Sequence, residues 1–468
     1  MRKTLLIIFL LFATAVNAQI QIKLNSSVSS LQNDEQLKYG TLSFTVLNAS
    51  TGKEVYSCNP NLGLAPASTL KTITSSTALA LLGESYTYKT ELQYNGSISN
   101  GILKGALIVK GGGDPTLGSW RYENTKEEVI LNNWVDAIRK QGIKEIDGDL
   151  LAEDRLFGTE SIPDGWIWQD IGNYYGAGNS GLSWRENQFD IYLKPGISPG
   201  DSVTILRTEP SSNYIEFVNE LKTGGKGSGD KAYVYLPPYS HVAYLRGTVG
   251  LDEKNFSISA ASPDPAYACL YRLREALQNA GIAVKGNVST ARIFSAQKHS
   301  FPENNQIFFT ITSPSLDKIV FWFNKKSVNL YGEHLLKTLA LSQGKEVTTN
   351  NGVSVLKDYW KAKGIDENAI NIFDGSGLSP ADRISSSAMA NVLLNARKQS
   401  WFNSFYASLP DLNGIKMKDG YINNVRSYTG YVTSKSGTTY VFSFIVNNFN
   451  GSPATMRQKM WKVLDELK

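Results

Sequence analysis

The sequence predicts an α+β protein in which one domain of antiparallel strands and helices is interrupted by a long, mostly β inserted region. Three observations carry this expectation. Two alternating segments near the start precede a helix-spaced run, and helices, paired strands and a closing helix fill the far end. Between them, residues 95–262 change texture, to short strand-like segments separated by Gly, Pro and Asp turns. The 468-residue length exceeds one ordinary domain, and a 41% hydrophobic content is enough for real cores.

Arg2 and Lys3 open the chain, Leu5 to Phe12 is apolar, and Val16-Asn17-Ala18 offers small residues before Gln19. That order reads as a secretory signal peptide, residues 1–18, because the apolar run is too short to cross a bilayer. Removal after about Ala18 and a periplasmic destination are expected. No later stretch approaches a membrane span, and no cysteine follows closely enough for a lipid anchor. Thr41 to Val46 and Glu54 to Cys58 alternate on either side of a turn at Asn48 to Gly52, the pattern of a hairpin. Pro66 to Leu82 is spaced as a helix, with Leu70, Ile73, Thr77 and Leu81 on one face and Gly83 as its stop.

Within residues 95–262 the clear helix is Glu127 to Gln141, and Gly224 to Asp230 is the most linker-like stretch. From residue 263 helical spacing returns over Pro265 to Ala280, Leu316 to Gln343 and Ser385 to Lys398. Tyr428 to Val432 and Thr439 to Asn447 are strands around a turn at Ser434 to Gly437. A closing helix starts at Ser452-Pro453, and its stripe of Met456, Met460, Val463, Leu464 and Leu467 should pack on the sheet. Residues 19–94 and 263–468 are thus the two parts of one domain around the insertion.

Composition excludes several functions. A net charge of +5 without a dense Lys/Arg cluster argues against a nucleic-acid partner. His241, His299 and His334 are the only histidines and are not spaced as ligands, so neither zinc nor another cofactor is implied. Gly111-Gly112-Gly113-Asp114-Pro115 lacks the strand and helix of a nucleotide loop and reads as a tight turn. Cys58 and Cys269 either pair or remain separate thiols; spacing does not decide between them.

Chemistry concentrates in three short motifs. Ser68-Thr69-Leu70-Lys71 puts a hydroxyl and an amine one helical turn apart. A serine becomes a nucleophile when a neighbouring base takes its proton, and a lysine serves once desolvation lowers its pKa. Free N–H groups at a helix start would suit a developing oxyanion. On its own the motif also fits an ordinary capped helix. Ser327-Val328-Asn329 adds a hydroxyl to relay a proton and an amide to orient Lys71 and substrate. The third element is a lysine followed by a glycine, the lysine to hold a substrate carboxylate and the glycine to admit substrate backbone. Lys435-Ser436-Gly437 sits at a hairpin tip, whereas Lys418-Asp419-Gly420-Tyr421 opens the first of three successive strands, and that order favours Lys418.

In this order, and with a closing helix, these motifs resemble the penicillin-recognising serine peptidases and β-lactamases. The long gap between the first two is similar to that of the class C low-molecular-mass penicillin-binding proteins, D-alanyl-D-alanine carboxypeptidase/endopeptidases. Gly111 to Leu117, Gly165 to Asp170 and Asp374 to Ser379 also look like that branch's recurring segments. The resemblance implies a transpeptidase/β-lactamase-like domain with Ser68 as acylated nucleophile, Lys71 as its base, Ser327 as relay, Asn329 as substrate-orienting amide and Lys418 as carboxylate partner. It also implies an oxyanion hole from the N–H groups of Ser68 and Tyr421, close substrate passage at Gly420, and Asp170 against the amino end of a stem-peptide side chain. The partners it implies are peptidoglycan stem peptides, with β-lactams as covalent inhibitors. Such families usually carry Thr or Ser where Asp419 stands, and Ser or Thr where Tyr421 stands. Strand alternation predicts that Asp419 points away from Lys418, leaving carboxylate binding weakened or altered. The rival readings are a peptidoglycan-binding protein with weakened catalysis and a β-lactamase; the long insertion argues against the latter.

Overall fold

The structure, a computed structural model, describes residues 19–468. The expected signal peptide lies outside the described residues. Two compact units divide the chain. The first comprises the chain to Glu84, Val320–Ser327 and Val353–Lys468; the second comprises Ser85–Ile319 and Val328–Gly352. The expected insertion, residues 95–262, falls inside the second unit, which takes in further chain on both sides of it.

The first unit is built on a six-stranded antiparallel sheet. Its strands are β1 (Thr41–Asn48), β2 (Glu54–Cys58), β3 (Asp411–Leu412), β4 (Ile415–Ile422), β5 (Val425–Thr433) and β6 (Thr439–Asn447), in the order β2-β1-β6-β5-β4-β3. The early hairpin and the late strands meet along β1 and β6, paired from Thr41 opposite Asn447 to Asn48 opposite Tyr440. Alternation sends Phe44, Val46, Phe442 and Phe444 into a core shared with the closing helix, Pro453–Asp465, whose Met456, Met460, Val463 and Leu464 are buried there as expected. A helix over residues 19–32, which the sequence reading had not singled out, adds Leu24, Val28 and Leu31 to that core. On β1, the hydroxyls of Ser43 and Thr45 each lie 2.7 Å from the Ser386 hydroxyl, so polar groups left inside are paired.

The helix Lys71–Leu82 is buried over nearly its whole length despite a run of hydroxyl residues. Its chemistry explains how. Ser75, Ser76 and Thr77 each donate to the carbonyl four residues back, at 2.6, 2.6 and 2.8 Å, so no hydroxyl there needs water.

In the second unit a five-stranded sheet runs in the order Val288–Thr290, Leu150–Glu153, Leu107–Lys110, Lys89–Tyr94, Gln306–Thr312. The helices Glu127–Lys140 and Pro265–Asn279 bury Trp134, Ile138, Leu270 and Leu273 in its core. Smaller sheets enclose a separate core around Phe189, Ile191, Val234 and Leu245. The glycine triplet is a packed turn: a Cβ on Gly111 or Gly112 would lie 2.1 Å from a backbone carbonyl oxygen, of Gly181 or Lys89 respectively. Asp114 closes that turn, accepting from the Thr116 backbone at 2.7 Å. Cys58 and Cys269 are both free thiols.

Candidate active site

The nucleophile segment is not the single helix expected from Pro66 to Leu82. A 3-10 turn, Ala67–Leu70, leads into an α-helix that begins at Lys71. Ala67 holds φ at +47°, a conformation that side-chain-bearing residues avoid, so Ser68 is presented on a tight turn. Spacing of three survives the change, because i and i+3 eclipse in a 3-10 turn. Lys71 Nζ donates to Ser68 Oγ at 2.9 Å and to the Ser376 carbonyl at 2.7 Å. Lys71 is fully buried, with the Phe323 ring 5.8 Å from its ammonium.

The loop Asp374 to Ser379 places that carbonyl. The Asp374 carboxylate accepts from the backbone N–H groups of Ser376 (3.1 Å), Gly377 (2.6 Å) and Ser379 (2.7 Å). The Thr74 hydroxyl, on the nucleophile helix, donates to Gly375 O at 2.8 Å. Gly377 has φ of +81°, and a Cβ there would lie 1.9 Å from Ala67 O. Sequence reasoning quoted this loop only for its resemblance and missed the Ser376 carbonyl as a partner of Lys71. The signal was present: an aspartate before Gly-Ser-Gly is able to fold a loop onto its own N–H groups.

The strand β4 lies against the same turn. Lys418 stands in the middle of β4 rather than opening it. A Cβ on Gly420 would lie 2.7 Å from Pro66 O, 2.9 Å from Ser68 N and 2.3 Å from Ser427 Oγ. The strand therefore reaches the nucleophile turn only because residue 420 has no side chain. Ser427, opposite Gly420 on β5, donates its hydroxyl to Pro66 O. Lys435, by contrast, is exposed in the turn between β5 and β6.

One expectation about β4 fails. Register does set Lys418 and Gly420 opposite Thr429 and Ser427, with Asp419 and Tyr421 opposite Tyr428 and Arg426. Yet Lys418 Nζ donates to the Asp419 carbonyl at 2.6 Å and to its carboxylate at 2.9 Å. Alternation governs Cβ directions, whereas a four-carbon stem is long enough to fold back on its neighbour. Burial works to raise the Asp419 carboxyl, but the Lys418 charge and hydrogen bond outweigh it and hold that carboxyl below its ordinary range. Tyr421 is half exposed, with the Arg426 guanidinium 4.9 Å over its ring.

The helical stretch expected from Leu316 to Gln343 is broken. It forms Leu316–Lys325 and Asn329–Ser342, and Ser327 between them has φ of +57°. Asn324, fully buried, anchors the end of the first helix by donating to Ser75 Oγ (3.1 Å) and Ser408 Oγ (2.9 Å). Ser68, Lys71, Ser327, Lys418, Gly420 and Tyr421 all belong to the first unit; Asn329 and Asp170 belong to the second. There Asn329 Nδ2 donates to Tyr175 O at 2.7 Å. Asp170 sits in the short helix Trp168–Ile171, and burial raises its carboxyl against the opposing hydrogen bond from the Tyr175 hydroxyl. Tyr175, which sequence reasoning had not singled out, thus contacts both.

A serine on a strained turn, a buried lysine in contact with it and a strand edge alongside, on an antiparallel sheet flanked by helices, define a serine acyl-transfer enzyme of the penicillin-recognising fold. The chain belongs to the D-Ala-D-Ala carboxypeptidase 3 (S13) family, whose model matches residues 24–414 and 411–467. It is 25% identical over 463 residues to a D-alanyl-D-alanine carboxypeptidase of Actinomadura, covering 93% of this chain and 82% of that protein. It is 24% identical to D-alanyl-D-alanine carboxypeptidase DacB of Haemophilus influenzae, over 94% of this chain and 92% of that protein. The crystal structure of Haemophilus influenzae penicillin binding protein 4 shares the fold, with a TM-score of 0.80, 21% identity and coverage of 94% of this chain and 99% of that one. The protein is thus a peptidase of the D-Ala-D-Ala carboxypeptidase class. Among the described residues no helix is long and apolar enough to cross a membrane.

Proposed function

We propose that this chain is a serine-type D-alanyl-D-alanine carboxypeptidase/endopeptidase that acts on peptidoglycan stem peptides through an acyl-enzyme on Ser68. The observation that carries the reading is the 2.9 Å contact between the fully buried Lys71 amine and the Ser68 hydroxyl. With its amine neutral, Lys71 takes the hydroxyl proton as Ser68 Oγ attacks the carbonyl of the penultimate D-alanine. The N–H groups of Ser68 and Tyr421 are assigned to the oxyanion, and the close approach of the strand to Ser68 N at Gly420 supports that assignment. The C–N bond then breaks, and the leaving amine takes a proton relayed through Ser327. Water cleaves the resulting ester and restores Ser68. When the leaving group is the diamino acid of a neighbouring stem, the same steps cut a cross-link.

Lys418 holds the carboxylate of the leaving residue; the family resemblance assigns Asn329 to the substrate amide and Asp170 to the amino end of the stem side chain. A β-lactam carries an amide of the same kind and leaves a slow ester on Ser68. The sequence pattern of residues 1–18 supports export to the periplasm. Labelling with a fluorescent penicillin, followed by mapping of the labelled peptide, tests the reading. The label is expected on Ser68 and absent from Ser68→Ala; persistent labelling of that variant overturns it, and an unlabelled parent favours a binding protein without catalysis.

A further inference from the structure

The Lys418–Asp419 contact has a consequence for which substrates this site accepts, and it rests on the acyl-enzyme reading above. Lys418 is 1% exposed, so its ammonium is largely removed from water. Of its three N–H bonds, one meets the Asp419 carbonyl and one the Asp419 carboxylate, leaving a single donor for an incoming group. Asp419 itself is 42% exposed, so part of its side chain reaches the surface beside the buried ammonium. The pair is electrically neutral overall. A substrate carboxylate therefore loses the net attraction of a free ammonium and meets the field of a second carboxylate. An uncharged amide carbonyl accepts from the remaining N–H without that repulsion. Arg426 contributes positive charge near Asp419, with its guanidinium over Tyr421 and donating to the Tyr428 hydroxyl at 3.2 Å.

We propose that Asp419 is a specificity-determining residue that occupies Lys418 and turns the site toward donors whose leaving residue ends in an uncharged amide. Such donors include cross-linked peptides with an amidated diamino acid. A free terminal carboxylate is accepted less well than it would be without Asp419.

The test measures second-order acylation of the full chain by a matched pair, a diacylated-lysyl-D-alanyl-D-alanine and the same peptide ending in D-alaninamide. The readout is the ratio of the two rates, which a general loss of stability does not move. Asp419→Asn and Asp419→Thr are expected to shift the ratio toward the carboxylate donor by about tenfold, equivalent to about 1.4 kcal/mol. Asp419→Glu, which retains the charge, is expected to keep the parent ratio. A ratio unmoved in both neutral variants, with both donors reacting, overturns this inference alone. A parent that reacts with neither donor overturns the acyl-enzyme reading and this inference with it.

Discussion

Replacing Gly420 with alanine tests whether β4 is seated on the nucleophile turn as tightly as the geometry indicates. The added Cβ would stand 2.3 Å from Ser427 Oγ, 2.7 Å from Pro66 O and 2.9 Å from Ser68 N. All three lie inside ordinary van der Waals contact, and none yields cheaply. Ser427 Oγ is already bonded to Pro66 O and lies 3.1 Å from Thr69 Oγ1, while the other two atoms are backbone of the turn itself. Relief therefore means moving the strand off the turn. Overpacking of this kind costs about 1–3 kcal/mol of stability. The larger effect should be on chemistry, since a shift of about 1 Å in a reacting group can cost roughly a hundredfold in rate. The assay is the second-order rate of acylation by fluorescent penicillin, with a melting curve on the same sample. Gly437→Ala is the control: Gly437 has φ of +83° but nothing within 4 Å of the added carbon, so it should strain a turn without touching acylation. Acylation of Gly420→Ala within about threefold of the parent would refute the reasoning, because the expected displacement is worth far more.

Lys71→Arg should retain the fold by melting curve yet fail to label with penicillin, because a guanidinium does not give up its proton at working pH. Lys418→Ala should slow acylation by carboxylate-bearing donors by about tenfold to a hundredfold, the size of a lost charge-assisted hydrogen bond. Lys435→Ala, at an exposed turn, should match the parent in the same assay, and the reverse result would move the third motif to Lys435. In the second unit, burial and then the neighbouring Asp264 push the Asp154 carboxyl up to about 6. Its folded pKa thus exceeds its unfolded value, so its contribution to stability is complete below about pH 4 and is lost as pH rises through about 6. Asp154→Asn should therefore stabilise against urea at pH 7 by about 1–3 kcal/mol and by much less at pH 4.5. Equal gains at both pH values would contradict that assignment.

The parts of this molecule that could be read from sequence are those set by local period. The Ser68–Lys71 contact was legible because three residues bring side chains together in either helix type, so mistaking a 3-10 turn for α-helix did no harm. Strand order likewise placed Lys418 on a strand with two more to follow and Lys435 in the turn before the last, since only the former is followed by enough alternating chain to build two further strands. What escaped was set by particular tertiary contacts. The Ser327 motif itself read as a short loop at the start of a helical stretch, which the structure bears out; only the apolar spacing from Leu316 to Gln343 ran on through it. The helix Thr349–Ala362 begins Thr-Asn-Asn-Gly, weak helix formers, so nothing local marked its start. The Lys418–Asp419 bond defeats alternation because side-chain reach, not Cβ direction, decides where an ammonium ends.

The same contrast explains how the nucleophile is held. Positive φ at Ala67 is a strained state, typically costing about 1–3 kcal/mol, and it persists only where surrounding structure over-determines it. Two glycines supply that constraint by bringing backbone against the turn: Gly377 onto Ala67 O, and Gly420 onto Pro66 O and Ser68 N. One belongs to the Asp374 loop and the other to β4, and both are remote in sequence from Ser68. The turn is thus clamped only after the early and late segments of the discontinuous first unit have joined along β1 and β6. Seating of the Ser376 carbonyl on Lys71 depends on that same assembly. Until the late strands have docked on the early hairpin, Ser68 and Lys71 have the right spacing but neither the strained turn nor the carbonyl that fixes the amine.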